Sequence, residues 1–396
     1  MKRLGQSQAL MFSVGLSAVV EGSFTIGATA FFIRTLGSVS AADAAGGVFW
    51  LAMTVAELPT GYITDAVGPK RAMLLSVFLR AVAFAVFFFG ARTSGLLFLA
   101  NAIAGVALTL STGAIGTQLK LDDRRRNAET NMRAFSANAS TARYAGTVIG
   151  GILGFVAIRA AGIIWIWIPA ILVSAVLLVQ LAATWSDLRG NAHRDPVQQV
   201  ARGFRELLND RDLLRCVGMI AAIFLTSLSV EENWIPEFIP RLDKAPVLLT
   251  TSVLLMMFLR TVLSTTWARL PKLQSTSPRL ALGAFGASAA LAGILPLWWN
   301  AGFFVIALFA ATGAMISANS LFLRRLPADA GGVVSSAAGV VYNASGTVAL
   351  FLTAFIVGKS SIAASWVIAG TVAVLFSVIV GPTRDAINTE DRDRVA

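Results

Sequence analysis

Long runs of apolar residues alternate with short polar intervals along the whole chain, and this pattern repeats twelve times. The runs fall at about 9–33, 44–64, 72–90, 95–118, 134–157, 162–185, 216–235, 246–268, 280–299, 302–323, 331–357 and 362–381. At 1.5 Å of rise per residue, each is long enough to cross a ~30 Å hydrocarbon layer as a helix. The pattern therefore predicts an all-α integral membrane protein of twelve transmembrane helices. The longest polar interval separates the spans six and six, so the expected organisation is an N-terminal bundle (1–185), a linker (186–215) and a C-terminal bundle with a short tail (216–396). Within the linker, Val197, Val200, Phe204, Leu207 and Leu208 recur at helical spacing among Arg202, Arg205 and Glu206. That periodicity suits an amphipathic helix, either lying on a membrane surface or solvated as a linker.

Composition agrees with the pattern and removes other classes. Of 396 residues, 56% are hydrophobic and only 13% charged, about half the charged share of an ordinary soluble domain. A net charge of +11 could suit nucleic acid, but that partner needs a solvated basic face, and most of this chain has none. The positive charge is instead distributed by side. The N-terminus, the loops after even-numbered spans and the C-terminus hold 23 of the 32 Lys and Arg residues, which places both termini in the cytoplasm of a cell membrane. All nine Trp residues fall near expected helix ends, as an interfacial aromatic belt would have them. Cys216 is the single cysteine and His193 the single histidine, so neither a disulfide framework nor a Cys/His metal cluster can be built, and no cofactor is expected. Gly358-Lys359-Ser360 lacks the earlier glycine of a phosphate-binding loop, Thr353 standing there.

The two halves resemble each other. Ser136-Ala137 and Ala145-Gly146-Thr147-Val148 in the fifth span recur as Ser336-Ala337 and Ser345-Gly346-Thr347-Val348 in the eleventh. Val20-Glu21 in the first recurs as Val230-Glu231 in the seventh. A duplicated six-helix bundle with a binding site between the halves is the architecture of many secondary transporters.

Seven ionisable residues lie well inside expected spans: Glu21, Glu57, Arg80, Arg143, Glu231, Glu232 and Arg260. Each costs at least ~2.5 kcal/mol at a helix centre, so a partner and a function are the default expectation. Glu21 and Arg143 lie at comparable depths in spans 1 and 5. Paired, they could be a proton-carrying carboxylate with its release partner, or a static ion pair that fixes packing. Glu231, the repeat mate of Glu21, is the expected cavity-facing member of the Glu231–Glu232 pair. Arg80 and Arg260 have no evident sequence partner, although Arg260 could meet an anionic substrate group or Glu232. Glu57, before Pro59 and Gly61, sits where a helix could bend and belongs to a gate.

The segment Gly61-Tyr62-Ile63-Thr64-Asp65-Ala66-Val67-Gly68-Pro69-Lys70-Arg71 resembles the loop motif G-x-x-x-D-[RK]-x-G-[RK]-[RK] of the major facilitator superfamily, in the expected place between spans 2 and 3. Asp65, Gly68, Lys70 and Arg71 match, while Ala66 and Pro69 replace basic residues. The resemblance implies twelve helices in two pseudo-twofold bundles, and a small-molecule transporter acting as a monomer. Asp65 would be a cytoplasmic latch, with Asp122 or Asp123 pairing to Arg71; a plain turn anchored by cytoplasmic charge is the other reading. In the second half, the stretch around Trp267-Ala268-Arg269-Leu270-Pro271-Lys272 lacks both acid and glycines. Gly146-Thr147-Val148-Ile149-Gly150-Gly151 resembles the G-P-x-x-G-G motif of drug/proton antiporters with Thr147 for proline, and those small residues would also let helices pack closely. Asn101 stands where those antiporters carry arginine. The resemblance thus points to proton-coupled efflux of drug-like or amphipathic metabolites, with uptake or uncoupled transport as the alternative. A non-transporting membrane scaffold is the remaining class.

Overall fold

The computed structural model describes residues 6–25, 27–91, 93–126, 132–185, 196–238, 277–326 and 331–379, with isolated residues between 255 and 266. Thirteen α-helices and one 3₁₀ turn account for nearly all of them, and no strand occurs among the described residues. In the first half these are α1 (Gln6–Thr25), α2 (Ala28–Leu36), α3 (Val39–Val67), α4 (Pro69–Phe89), α5 (Ser94–Arg126), α6 (Met132–Ala161) and, after the 3₁₀ turn Ile163–Ile166, α7 (Trp167–Thr184). Then follow α8 (Pro196–Asn209), α9 (Arg211–Phe238), α10 (Pro278–Ile294), α11 (Leu297–Arg325), α12 (Gly331–Lys359) and α13 (Ile362–Ile379). Helices α1 to α7 form one compact unit and α8 to α13 belong to a second.

Eight of the helices are long and apolar enough to cross a membrane; α1 and α2 together make a ninth, and Ala145–Ala161 and Pro278–Ile294 are shorter apolar helices. The eighth expected span, at 246–268, falls mostly outside the described residues. In hydrocarbon the backbone must bond within its own segment, which selects helices for such runs. Hydroxyl side chains follow the same rule and turn back onto the carbonyl four residues earlier. Ser13 donates to Ala9, Thr60 to Ala56, Ser174 to Ala170 and Thr226 to Ala222, each at 2.7–2.8 Å.

The first span differs from the continuous helix expected over 9–33. It breaks after Thr25, and α1 and α2 meet at 41°. Gly27 carries the break with φ −139° and ψ 0°, outside helical geometry, while its carbonyl still accepts from Phe31 N–H at 2.8 Å as α2 begins. Pro59, by contrast, does not end α3, which runs on to Val67.

In the first unit α1 packs between α6 and α7, while α4 packs against α5 and α7. Leu10, Met73, Val77, Leu177 and Leu181 form its buried core near one end. In the second unit α9 is central, touching α11, α12 and α13, and α8 lies against α12 and α9. The amphipathic helix expected in the linker is thus present as α8, with Leu207 buried and Leu208 exposed.

Three tryptophans depart from the interfacial expectation. Trp167 and Trp366, 1% and 0% exposed, are among the largest fully buried side chains. Trp167 stacks on Phe24 and Phe84 and meets Phe31 and Phe87. Trp366 stacks on Phe304 and meets Phe238. Trp185 is buried and donates its indole N–H to Ser13 Oγ at 2.9 Å. They pack the helices of each half together, whereas Trp165 and Trp299 are exposed as belt residues would be.

Candidate functional site

Glycines decide what Glu21 can reach. A Cβ built on Gly146 would strike Gly15 O, one on Gly150 would strike Val19 O, and one on Gly22 would strike Thr147 O. Helices α1 and α6 are therefore in backbone contact, an approach only such small residues permit. Gly151 is buried on the same helix. One turn before Thr147, that approach brings Arg143 Nη2 to 3.6 Å from Glu21 Oε2. Helix α4 supplies a second cation, with Arg80 Nη2 3.6 Å from Glu21 Oε1 and Arg80 Nη1 donating to Ser17 Oγ at 3.0 Å.

The two arginines are not alike. The Arg80 side chain is 6% exposed and that of Arg143 65%, with Glu21 between them at 29%. An unpaired guanidinium at Arg80's depth would be prohibitively costly, so Glu21 and Ser17 account for its presence. Arg143 and Glu21 are close enough for charge attraction but beyond hydrogen-bond distance. With two cations and one anion the cluster carries a net charge of +1. The sequence showed no partner for Arg80; the structure gives it Glu21, 59 residues away and visible only once α1 and α4 are packed.

The loop between α3 and α4 is built on one residue. Gly68 has φ 88°, a region that disfavours side chains, and it ends α3 while Pro69 opens α4 at a position where a proline's missing N–H is harmless. Lys70 then donates to Ala182 O at 2.8 Å, in the last turn of α7, where cations suit the helix dipole. Gly61 is helical and Glu57 half-buried in α3, and Arg71 is exposed. The side chains of Asp65 and Asp122 lie outside the described residues.

The second unit repeats this arrangement in a place the sequence had hidden. Pro278 opens α10 as Pro69 opens α4, and the following Arg279 donates to Ser377 O at 2.9 Å near the end of α13. Arg279 is thus a counterpart of Lys70 in the first half, and the stretch around Trp267 to Lys272 lies outside the described residues. Glu231 and Glu232 are partly buried on α9, and Asn233 beside them is fully buried. Arg260 lies outside the described residues. Toward the start of α9, Asp212 pairs with Arg325 at 2.9 Å and with Arg215 at 3.2 Å. Asp43, in the second turn of α3, is 5% exposed; the sequence reading missed it because the expected span began at the next residue. Among the described residues no group of three His, Cys, Asp or Glu side chains could hold a metal ion.

Comparison with known structures gives the same fold throughout. The nucleoside transporter NupG aligns with a TM-score of 0.72 at 14% identity, covering 95% of this chain and 99% of its own. A POT family transporter in complex with 5-aminolevulinic acid aligns at 0.71 and 13%, covering 94% and 95%. A bacterial homologue of the iron transporter ferroportin, in its outward-facing state, aligns at 0.66 and 14%, covering 95% and 98%. No curated protein matches the sequence. The model of the Major Facilitator Superfamily matches residues 10–350. An all-helical fold with eight or nine apolar spans among the described residues and this match over most of the length lead to one conclusion: the chain belongs to the Major Facilitator Superfamily of membrane transporters.

Proposed function

We propose that the protein is a proton-coupled secondary transporter that exports drug-like or amphipathic small molecules across the cell membrane by alternating access. It works as a monomer with both termini in the cytoplasm, and Glu21 is its proton-binding group. The observation that carries this reading is the placement of Glu21 between a buried and an exposed arginine, 3.6 Å from each. A carboxylate that gives up one of two cationic partners holds its charge less well, so movement at Arg143 is a means of loading and unloading a proton. Arg143 is also the partner whose charge demands water. At mid-span an exposed guanidinium is tolerated where it faces an aqueous cavity rather than lipid. In this reading Glu57, Gly61, Asp65, Gly68, Lys70, Arg71 and Asp122 form the cytoplasmic gate, and Glu231, Glu232 and Arg260 are the second half's own candidates for substrate contact.

Uptake is the second reading, and Asn101 favours it. It is buried and donates to Leu97 O of its own helix at 3.0 Å, leaving no cation where antiporters of the efflux type carry one. A compound-accumulation screen in a pump-deficient bacterial host, with and without a proton uncoupler, tests the proposal. Lower accumulation of some compounds, abolished by uncoupler, is the expected result. Higher accumulation establishes uptake, and transport indifferent to uncoupler removes proton coupling.

A further inference from the structure

We infer that the substrate is an organic anion, bound through its negative group by Arg143, the exposed cation beside Glu21. The inference rests on the small-molecule transporter reading above and holds for either direction of transport. Its basis is the unequal use of the two guanidiniums. Arg80 is buried, bonded to Ser17 and committed to Glu21. Arg143 is 65% exposed and, among the described residues, meets one ionised group, Glu21, at a distance longer than a hydrogen bond. Its guanidinium thus keeps its fork of N–H donors available, and that fork matches a carboxylate, sulfonate or phosphate better than any neutral or cationic group. The cluster's net positive charge favours the same ligand, whereas a cation would meet two arginines and one acid.

Competition follows from the geometry. An anion seated on Arg143 takes charge that now faces Glu21, and Glu21 is left with Arg80 alone. Anion and Glu21 carboxylate thus compete for one guanidinium, and removing the carboxylate's charge strengthens anion binding. The charged groups facing Glu21 are Arg80 from α4 and Arg143 from α6. Helix α7, also packed on α1, brings Gln180 and Trp185 to Ser13, neither of which titrates here.

The test uses the purified full chain in detergent and three probes of one shape: naphthalenesulfonate, naphthalenemethanol and naphthylmethylammonium. Each is titrated while the midpoint of thermal unfolding is followed, at mildly acidic and mildly alkaline pH. A sulfonate stays ionised at both, so any pH dependence belongs to the protein. The expected result is stabilisation by the sulfonate alone, tighter in acid. Arg143→Gln weakens it by about tenfold or more, Arg143→Lys by less, and Glu21→Gln strengthens it about tenfold at alkaline pH and flattens the pH response. Each variant's own unfolding transition reports whether it is folded. Failure of the sulfonate to stabilise the parent overturns the inference. So does unchanged sulfonate binding in Arg143→Gln, weakened binding in Glu21→Gln, or a preference for the ammonium probe. Binding needs no gradient, so loss of gradient-driven transport with sulfonate binding intact removes the coupling reading and leaves the anion site standing.

Discussion

Position by position, the two halves keep a skeleton and differ in charge. Ser17 and Glu21 of α1 correspond to Ser227 and Glu231 of α9, at the offset set by Val20-Glu21 and Val230-Glu231. On α6, Arg143 corresponds to Asn343 of α12, and on α4, counted from the opening prolines, Arg80 corresponds to Ala289 of α10. Both cations are thus absent from the corresponding positions of the second half, where Ala289 and Asn343 are buried. The helix contact changes with them. Gly22 has no room for a side chain and corresponds to Glu232; Gly150 is equally crowded and corresponds to buried Leu350. In the second unit the glycine contact lies elsewhere, between Gly286 and Gly370 on α10 and α13. What persists is the frame: a buried tryptophan near the start of α7 and of α13, and a first-turn cation tying α4 to the end of α7 and α10 to the end of α13. The difference teaches that the duplicated frame holds the fold, while the two cations that meet the first helix's carboxylate belong to the first half alone.

Importing second-half residues into the first breaks this comparison in graded steps. Gly150→Leu should do the most damage, because the obstructing atoms are the Val19 carbonyl and the Ser23 nitrogen, the latter 2.7 Å from the added Cβ. A cost of about 3 kcal/mol or more is expected, read as lost yield of folded protein and a lower unfolding temperature. Arg80→Ala removes a buried cation together with its Ser17 bond and leaves Glu21 with half its charge partners; a loss of about 2–4 kcal/mol should appear in the same measurement. Arg143→Asn acts on a side chain that is mostly exposed, so its stability cost should stay below about 1 kcal/mol, while transport is abolished. A variant in which Arg143→Asn unfolds the protein but transports normally when folded would make the arginine a packing residue only.

Smaller effects sharpen the frame. Glu231→Gln should change transport by no more than about threefold, since Glu231 has neither Arg80 nor Arg143 at its corresponding positions and a change of that size is under 1 kcal/mol. Lys70→Met and Arg279→Met should each cost about 0.5–1 kcal/mol, the value of a cation at a helix C-terminus. Equal effects in the two variants would establish that the halves share one device at the ends of α7 and α13.

The all-helical membrane-spanning fold, the helical linker and the loop between α3 and α4 were legible in the sequence because each depends on local composition. The Glu21–Arg80 contact was not, since nothing in a hydrophobic period reports which helix faces which. Nor was the burial of Trp167 and Trp366: a tryptophan near a span end suits both a membrane interface and an aromatic core, and only the surrounding phenylalanines decide. The break at Gly27 escaped notice because an apolar run reads alike whether its helix is straight or bent. Arg279 was overlooked because the acid and glycines of its first-half counterpart are gone, and only the proline and the cation remain.

The central claim is that Glu21 carries the coupled proton. It is tested most directly in liposomes holding the purified protein and a pH-sensitive dye, using a compound identified in the accumulation screen. With the parent protein, adding the compound outside should move protons across the membrane. With Glu21→Gln, exchange of labelled for unlabelled compound should continue while the proton signal disappears. Proton movement equal to the parent's in a Glu21→Gln protein that still exchanges its substrate would contradict the account.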